Sequence, residues 1–479
     1  MNLKHRTFSA VRWTTAAAGV RVLLQLVQVA VLARLLDPAD YGLMAMVSVV
    51  LGLAGIFSDM GVNSAYVQRQ NVTEHERSSL FWLNVCVSGV LTLLVLALSP
   101  LLASWLGDER LSPLLMLAAS TFIISALGRQ VRMNAEKLLN FKPVVVTEVG
   151  AALLGFTAAI AAAWSGWGVY ALIVGALVSA FSGTVLAWIF LAKGWRPQWC
   201  FRFSDVRSYL GFGSALVGNN LVNEFNRSID LLLGGRMLGA TALGLYSLPR
   251  QIVFQIQSMM NPIISRVGFP LIAQLQVDIP RVRAIYLKTL NMTSSANAPL
   301  YVGIAFFAPE VVLIGLGDKW LGAIDLMRLL ALWGFFRSIG NPVGSLLLGM
   351  GRADLSLKWN LAMLLIVPPV LLFAAQYGTL GLAWTLLGSS LVMFVPGWYV
   401  LVRPLCKAGL VEYALAVLRP FLLAVACISL TYWIVGQLDD AVLKLVAGVL
   451  LAVPLYVAVS YKANREWFDA MRELIIPNT

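Results

Sequence analysis

Three polar side chains recur along an otherwise apolar segment near the start of the chain. Arg21, Gln25 and Gln28 are spaced by four and three residues, so they share one face of an α-helix. Arginine stays protonated and its planar guanidinium group binds phosphate oxygens in pairs. This stripe therefore predicts a face that contacts an anionic ligand or water.

The same spacing returns 202 residues later. It lies in the predicted membrane segment that contains the most polar residues. Its polar and charged residues are Asn219, Asn220, Asn223, Glu224, Asn226, Arg227 and Asp230. In hydrocarbon each charge costs about 2.5–3.5 kcal/mol, so this helix lines water or pairs its charges internally. Arg227 with Glu224 or with Asp230, at a spacing of three, is the expected ion pair. The alternative role for such polar residues is to hold neighbouring membrane helices together by hydrogen bonds.

A third polar face follows at Ser247, Gln251, Gln255 and Ser258, with Arg250 beside it. Arg337 lies in a later apolar segment, and the charges inside apolar segments are mostly basic. We therefore expect a cationic cavity. Its expected substrate-binding residues are Arg21, Gln25, Gln28, Asn219, Asn220, Asn223, Arg227, Arg250, Gln251, Gln255 and Arg337. The acids Asp59, Glu224 and Asp230 are candidates for ion coupling.

Composition decides which elements position these residues. The 479-residue chain is 59% hydrophobic and 12% charged, whereas a soluble domain carries about 25% charge. A membrane helix needs about 20 apolar residues, and such stretches run from end to end. An all-α polytopic membrane protein of about fourteen helices is expected, over residues 11–36, 40–63, 80–106, 111–134, 144–164, 168–193, 209–235, 241–264, 284–308, 321–348, 356–376, 379–403, 417–435 and 440–461.

The distribution of basic residues predicts the orientation. Most of the 35 Lys and Arg residues fall in alternate loops, which are cytoplasmic by the positive-inside rule. Both termini are then cytoplasmic and the number of spans is even. This bias explains much of the net charge of +12, and no nucleic-acid partner is expected because the basic residues form no single patch.

An internal repeat predicts how the helices are grouped. The segment from Arg34 to Met44 returns in altered form from Arg236 to Tyr246, and Gly166–Val169 is echoed by Gly378–Leu382. Six helices per copy predict two bundles related by a pseudo-two-fold axis along the membrane normal. The expected domains are an N-terminal bundle, a C-terminal bundle, an appended helix pair and a cytoplasmic tail, over 1–195, 209–403, 417–461 and 462–479.

Catalytic and metal-binding patterns are missing from the sequence. The four cysteines have no paired spacing, the two histidines lie in polar segments, and no Walker motif occurs. Neither an enzyme nor a bound cofactor or metal is expected.

Several motifs carry a resemblance to a known family. Leu32–Gly42, with Ala-Arg-Leu-Leu before Tyr-Gly, is followed by a second helix ending near Asp59-Met60-Gly61. Asn261–Arg266 and Arg337–Ser345 add two further motifs. Together they resemble the Wzx-type polysaccharide flippases of the multidrug/oligosaccharidyl-lipid/polysaccharide exporter superfamily, over essentially the whole chain.

The resemblance implies a bacterial inner-membrane flippase. Its substrate would be an undecaprenyl-diphosphate-linked oligosaccharide, moved from the cytoplasmic to the periplasmic leaflet for exopolysaccharide, capsule or O-antigen assembly. Arg21 and Arg250 would be headgroup contacts, and a polymerase and other assembly proteins are candidate partners. Two alternatives stay open: an ion-coupled drug or metabolite antiporter of the same fold, and a non-transporting scaffold of the assembly complex.

Overall fold

The structure is a computed structural model. It describes residues 19–21, 23–59, 62, 65–66, 69 and 72–468, without the side chains of 59, 208, 210–216 and 259–270. The chain ends, and with them the predicted cytoplasmic position of both termini, lie outside the described residues. So does most of the predicted tail, 462–479.

The described chain is helical from end to end, as the apolar composition predicts. We label residues 19–35 as α1. The following helices are α2 Pro38–Asp59, α3 Glu74–Leu106, α4 Leu111–Lys137, α5 Phe141–Trp164 and α6 Tyr170–Leu191. After the stretch that contains α7 and α8 come α9 Ile279–Phe306, α10 Ala308–Gly315, α11 Ile324–Ser338, α12 Gly340–Gly349, α13 Ala353–Ala375, α14 Gly378–Val392, α15 Leu410–Val435 and α16 Ala441–Ala463.

The helical stretch Phe203–Gln274 contains two helices. Gly239 interrupts it with φ 79° and ψ 173°, a backbone conformation that residues with a Cβ rarely adopt. We label residues 203–238 as α7 and 240–274 as α8. This break lies between the predicted spans 209–235 and 241–264.

Length and composition identify the membrane helices. Among the described residues nine helices are long and apolar enough to cross a membrane, or up to eleven if each bent pair is one span. One bent pair is α9 with α10, which meet at 77°. The chain is thus an all-α, multi-pass membrane protein. Each of the fourteen predicted segments overlaps a helix, which is consistent with the predicted count and leaves the exact number a prediction.

By their internal contacts the residues form two compact units, Met1–Gly244 and Leu245–Thr479. The predicted bundles 1–195 and 209–403 rest on the repeat and not on contact density, so that division stays a prediction. Each compact unit is described by itself below.

In the first unit the two copies of the repeated segment contact each other. A methyl group added to Gly42 would overlap with the carbonyl oxygen of Ala240, and one added to Gly244 would overlap with that of Pro38. Pro38 and Ala240 are 202 residues apart, as are Gly42 and Gly244, so the two contacts exchange equivalent positions. Reciprocal contacts of this kind are what a two-fold relation requires.

Two further glycine contacts pack α2 against α7. A Cβ on Gly52 would lie 3.0 Å from Oε1 of Glu224, and a Cβ on Gly235 would lie 2.9 Å from Cγ of Met46. Small residues let membrane helices approach closely, and these contacts fix the polar helix α7 beside α2.

In the second unit α8, α9 and α11 pack around one point. Gly334 of α11 leaves room for Val253 and Tyr301, and the Tyr301 hydroxyl donates to the Val253 carbonyl at 3.2 Å. The α15–α16 pair, predicted as an appendix over 417–461, packs on this unit. The Tyr456 hydroxyl donates to the Ser295 carbonyl at 3.0 Å, which joins α16 to α9.

Candidate substrate site

The polar stripe of α1 presents its first two members to the outside of the first unit. Arg21 and Gln25 are exposed, and Gln28 is half-buried. The Arg21 guanidinium group forms an ion pair with Glu148 of α5. Glu148 also lies within electrostatic range of Arg132 on α4. The arginine of this polar stripe is thus paired with the Glu148 carboxylate.

The polar face of α7 repeats this exposure. Asn220, Asn223 and Arg227 are exposed and share a face, while Asn219 is half-buried. The repeat relates Arg21 to Asn223 and Gln25 to Arg227, and all four of these side chains are exposed. The third pair differs, because Gln28 is half-buried and Asp230 is 2% exposed.

Glu224 is the acid that pairs with Arg227. Arg227 Nε lies 3.4 Å from Glu224 Oε2, and the Ser228 hydroxyl donates to Oε1 at 3.1 Å. Asp230, the other predicted partner, is 2% exposed. The side chain of Asp59, the third candidate for ion coupling, lies outside the described residues.

In the second unit two predicted arginines meet on one aromatic ring. The guanidinium carbon of Arg250 lies 4.7 Å from the ring centroid of Phe254, and that of Arg337 lies 4.8 Å from it. Arg337 also lies 5.3 Å from the ring of Trp333, which packs edge-on against Phe254. Arginines from two different helices, α8 and α11, thus make cation–π contacts with the same aromatic pair.

The glutamines of α8 lie next to this arginine pair along the chain. Gln251 is exposed, whereas Gln255 is 9% exposed. The nearby surface therefore offers one accessible amide and one buried amide.

The predicted residues are divided between the two units. Those in the first unit are Arg21, Gln25, Gln28, Asn219, Asn220, Asn223, Glu224, Arg227 and Asp230, and those in the second are Arg250, Gln251, Gln255 and Arg337. Two residues that contact predicted arginines were not predicted from the sequence. They are Glu148, which pairs with Arg21, and Phe254, which lies near Arg250 and Arg337. Glu148 was visible as an acid in an apolar segment, but nothing in the sequence singles out Phe254.

The described chain is a multi-pass helical protein with polar residues on several of its helices. Solved structures agree on the fold. The lipid II flippase MurJ in an inward-closed conformation superimposes with a TM-score of 0.73 at 13% identity, over 96% of this chain and 100% of that chain.

Sequence comparison gives the family. Residues 31–325 match the model of a family described as polysaccharide biosynthesis protein, and the chain belongs to this family. The lipopolysaccharide biosynthesis protein WzxC of Escherichia coli K12 is 31% identical over 90% of this chain and 88% of its own length. The teichuronic acid biosynthesis protein TuaB of Bacillus subtilis 168 is 31% identical over 89% and 88%. The resemblance to Wzx-type exporters is confirmed.

Proposed function

We propose that the protein is a flippase for lipid-linked oligosaccharides. It moves undecaprenyl-diphosphate-linked repeat units from the cytoplasmic to the periplasmic leaflet of the bacterial inner membrane. The observation that carries the proposal is the convergence of Arg250 and Arg337 on Phe254. The family and its relatives, which are named for polysaccharide biosynthesis, support a precursor of such a polymer as the substrate.

Two guanidinium groups near one ring concentrate positive charge, which attracts an anionic headgroup. A diphosphate has enough oxygens to offer each guanidinium group a pair of acceptors. The aromatic pair holds the guanidinium groups before the ligand arrives, which lowers the entropic cost of binding.

The remaining polar residues suit the sugar and the headgroup. Arg21 and Arg227 provide further positive charge, and the amides hydrogen-bond to hydroxyl groups. The residues assigned to the sugar or to cavity water are Gln25, Gln28, Asn219, Asn220, Asn223, Gln251 and Gln255. The polyprenyl tail stays in the bilayer.

Movement follows alternating access in this proposal. The proposed closure at one end of the repeat is the reciprocal contact of Gly42 with Ala240 and of Gly244 with Pro38. By the charge pattern this end is periplasmic. Release of the substrate then requires the two glycine contacts to separate. Glu224, Asp230 and Asp59 are the candidates for coupling this movement to an ion.

The test is export of polymer by cells that carry single variants. Arg21→Ala, Arg250→Ala and Arg337→Ala each remove a proposed headgroup contact. A lost hydrogen bond to a charged group costs about 1.5–3 kcal/mol, so export falls at least about tenfold at unchanged protein level. Arg281→Ala is the matched control, because Arg281 is an exposed residue paired with Asp278.

The alternatives predict other results. A scaffold would support normal export with all three arginine variants, and that outcome would overturn the proposal. An antiporter would show altered drug resistance when Glu224→Gln or Asp230→Asn is introduced, with export unchanged.

A further inference from the structure

A second cationic site lies in the first unit, away from the residues described above. A cavity of about 520 Å³ opens where α3 begins and where α4 and α6 end. Its lining includes Glu74, Arg77, Lys193, Trp195 and Arg196. The charge pattern of the sequence assigns this end of the helices to the cytoplasmic face.

Arg77 is the buried cation of this cavity. It is 8% exposed, and its Nε and Nη2 atoms have no hydrogen-bond partner among the residues that the structure describes. Its guanidinium carbon lies 3.9 Å from the ring centroid of Trp195. The ring covers one face of the guanidinium group but accepts none of its in-plane hydrogen bonds. Buried donors without acceptors are costly, so this group indicates a ligand with acceptor oxygens.

The wall of the cavity is held in place before any ligand binds. The Trp195 indole nitrogen donates to Glu74 Oε2 at 2.8 Å, and the ring stacks on Trp188 with centroids 5.9 Å apart. The loop that follows α6 is fixed to α3, because the backbone N–H of Gln198 donates to the Ser78 hydroxyl at 3.1 Å. Preorganised walls of this kind reduce the cost of binding.

Charge selects the class of ligand. Lys193 and Arg196 are exposed at the mouth, so three bases face the single acid Glu74, whose Oε2 already accepts from Trp195. Tryptophan is enriched where membrane helices meet the headgroup region, and basic pockets between helices bind phosphate headgroups there.

We propose that this cavity binds a phosphate group at the cytoplasmic face of the membrane. Arg77 is the central ligand, and Lys193 with Arg196 complete the charge at the mouth. The phosphate belongs to a lipid headgroup or to a free anion, since both present the same oxygens. The site is separate from the arginine pair on Phe254, and its test does not depend on the proposed transport function.

The test uses the purified full-length protein. Native mass spectrometry in nanodiscs measures retention of phosphatidylglycerol against phosphatidylcholine, and calorimetry in detergent measures binding of inorganic pyrophosphate. Arg77→Gln removes the charge, and Lys193→Gln/Arg196→Gln removes only exposed charges, so it serves if Arg77→Gln does not fold. Arg281→Gln is the control, because Arg281 is an exposed base on the same predicted face in the other unit.

The expected result is one preferentially retained phosphate-bearing ligand in the unmodified protein and in Arg281→Gln. Loss of charge-assisted hydrogen bonds weakens binding at least about tenfold in the two cavity variants. Dependence on phosphatidylglycerol alone identifies the lipid as the source, and dependence on pyrophosphate identifies a free anion. Equal binding by all four proteins in both arms would overturn the proposal.

Discussion

Charged side chains within the helices follow two arrangements. Lys444 of α16 lies 2.8 Å from Glu310 of α10, and both are largely buried, with side-chain exposures of 16% and 6%. This pair of opposite charges is compensated within the protein and joins α16 to α10 within the second unit. Arg250 and Arg337 instead bring two like charges to one ring.

The structural role of the Lys444–Glu310 pair gives the first prediction. Lys444→Met leaves Glu310 buried without its cation, which lowers the free energy of unfolding by about 3–5 kcal/mol. The double variant Lys444→Met/Glu310→Leu restores most of this stability, because a buried pair is replaceable by apolar residues. Thermal unfolding in detergent measures both effects.

An exposed pair provides the comparison. Arg352 and Asp354 lie 2.8 Å apart but are both about half exposed, so Arg352→Met is expected to leave the melting temperature nearly unchanged. A melting temperature that falls equally in Lys444→Met and in the double variant would contradict the assigned role of the pair.

Individual site residues were predictable to the extent that polarity in an apolar segment is visible in sequence. Arg250 and Arg337 stood out for that reason. Their meeting on Phe254 did not, because Phe254 and Arg337 lie 83 residues apart in the chain, and one phenylalanine among 22 carries no signal. The pairing of Arg227 with Glu224 was one of two options in the sequence, since Glu224 and Asp230 both lie at a spacing of three.

At the scale of helices, the repeated segment does more than connect spans. Pro38–Gly42 begins α2, and the equivalent residues 240–244 begin α8. Glycine at positions 42 and 244 permits a backbone contact that any side chain would block. The repeat was detected in the sequence, but the contact between its copies was not, because spacing along the chain contains no distance between equivalent segments.

This contact gives the second prediction. Gly42→Ala and Gly244→Ala each force a methyl group onto a backbone carbonyl, so each lowers the free energy of unfolding by about 1–3 kcal/mol. The two effects are similar in size, because the two contacts are reciprocal. Thermal unfolding of the purified variants measures them.

Gly303 of α9 is the matched control, since a Cβ added there meets nothing within 4 Å. Gly303→Ala is expected to keep or raise stability by up to about 1 kcal/mol through helix propensity. A loss in only one of the two repeat variants would argue against the reciprocal contact.

The helices themselves were largely predictable, because apolar length and turn residues determine them. The predicted gap between 235 and 241 contains Gly239, where the backbone leaves the helical conformation. The bends were not predicted. The segment 284–308 continues through a 77° bend into α10. Phe307 at this bend is 4% exposed and packs against Tyr432, a contact that the sequence does not reveal.

At the scale of the whole molecule, the chain belongs to a family of polysaccharide biosynthesis proteins and has an all-α, multi-pass fold similar to that of MurJ. The proposed substrate adds a chemical requirement, which is a binding site for a diphosphate on a lipid. The arginine pair on Phe254 is the feature of the described chain that meets this requirement most directly.

The decisive measurement is transbilayer movement in vesicles that contain only the purified protein. A fluorescent undecaprenyl-diphosphate oligosaccharide is supplied, and a membrane-impermeant quencher reports the fraction in the outer leaflet. If the protein is a flippase that uses the arginine pair, the unmodified protein and Arg281→Ala bring the probe to both leaflets. The double variant Arg250→Ala/Arg337→Ala, folded and inserted at the same level, leaves the probe where it was added. Movement at equal rates with and without the arginine pair would show that the pair has no role in transport.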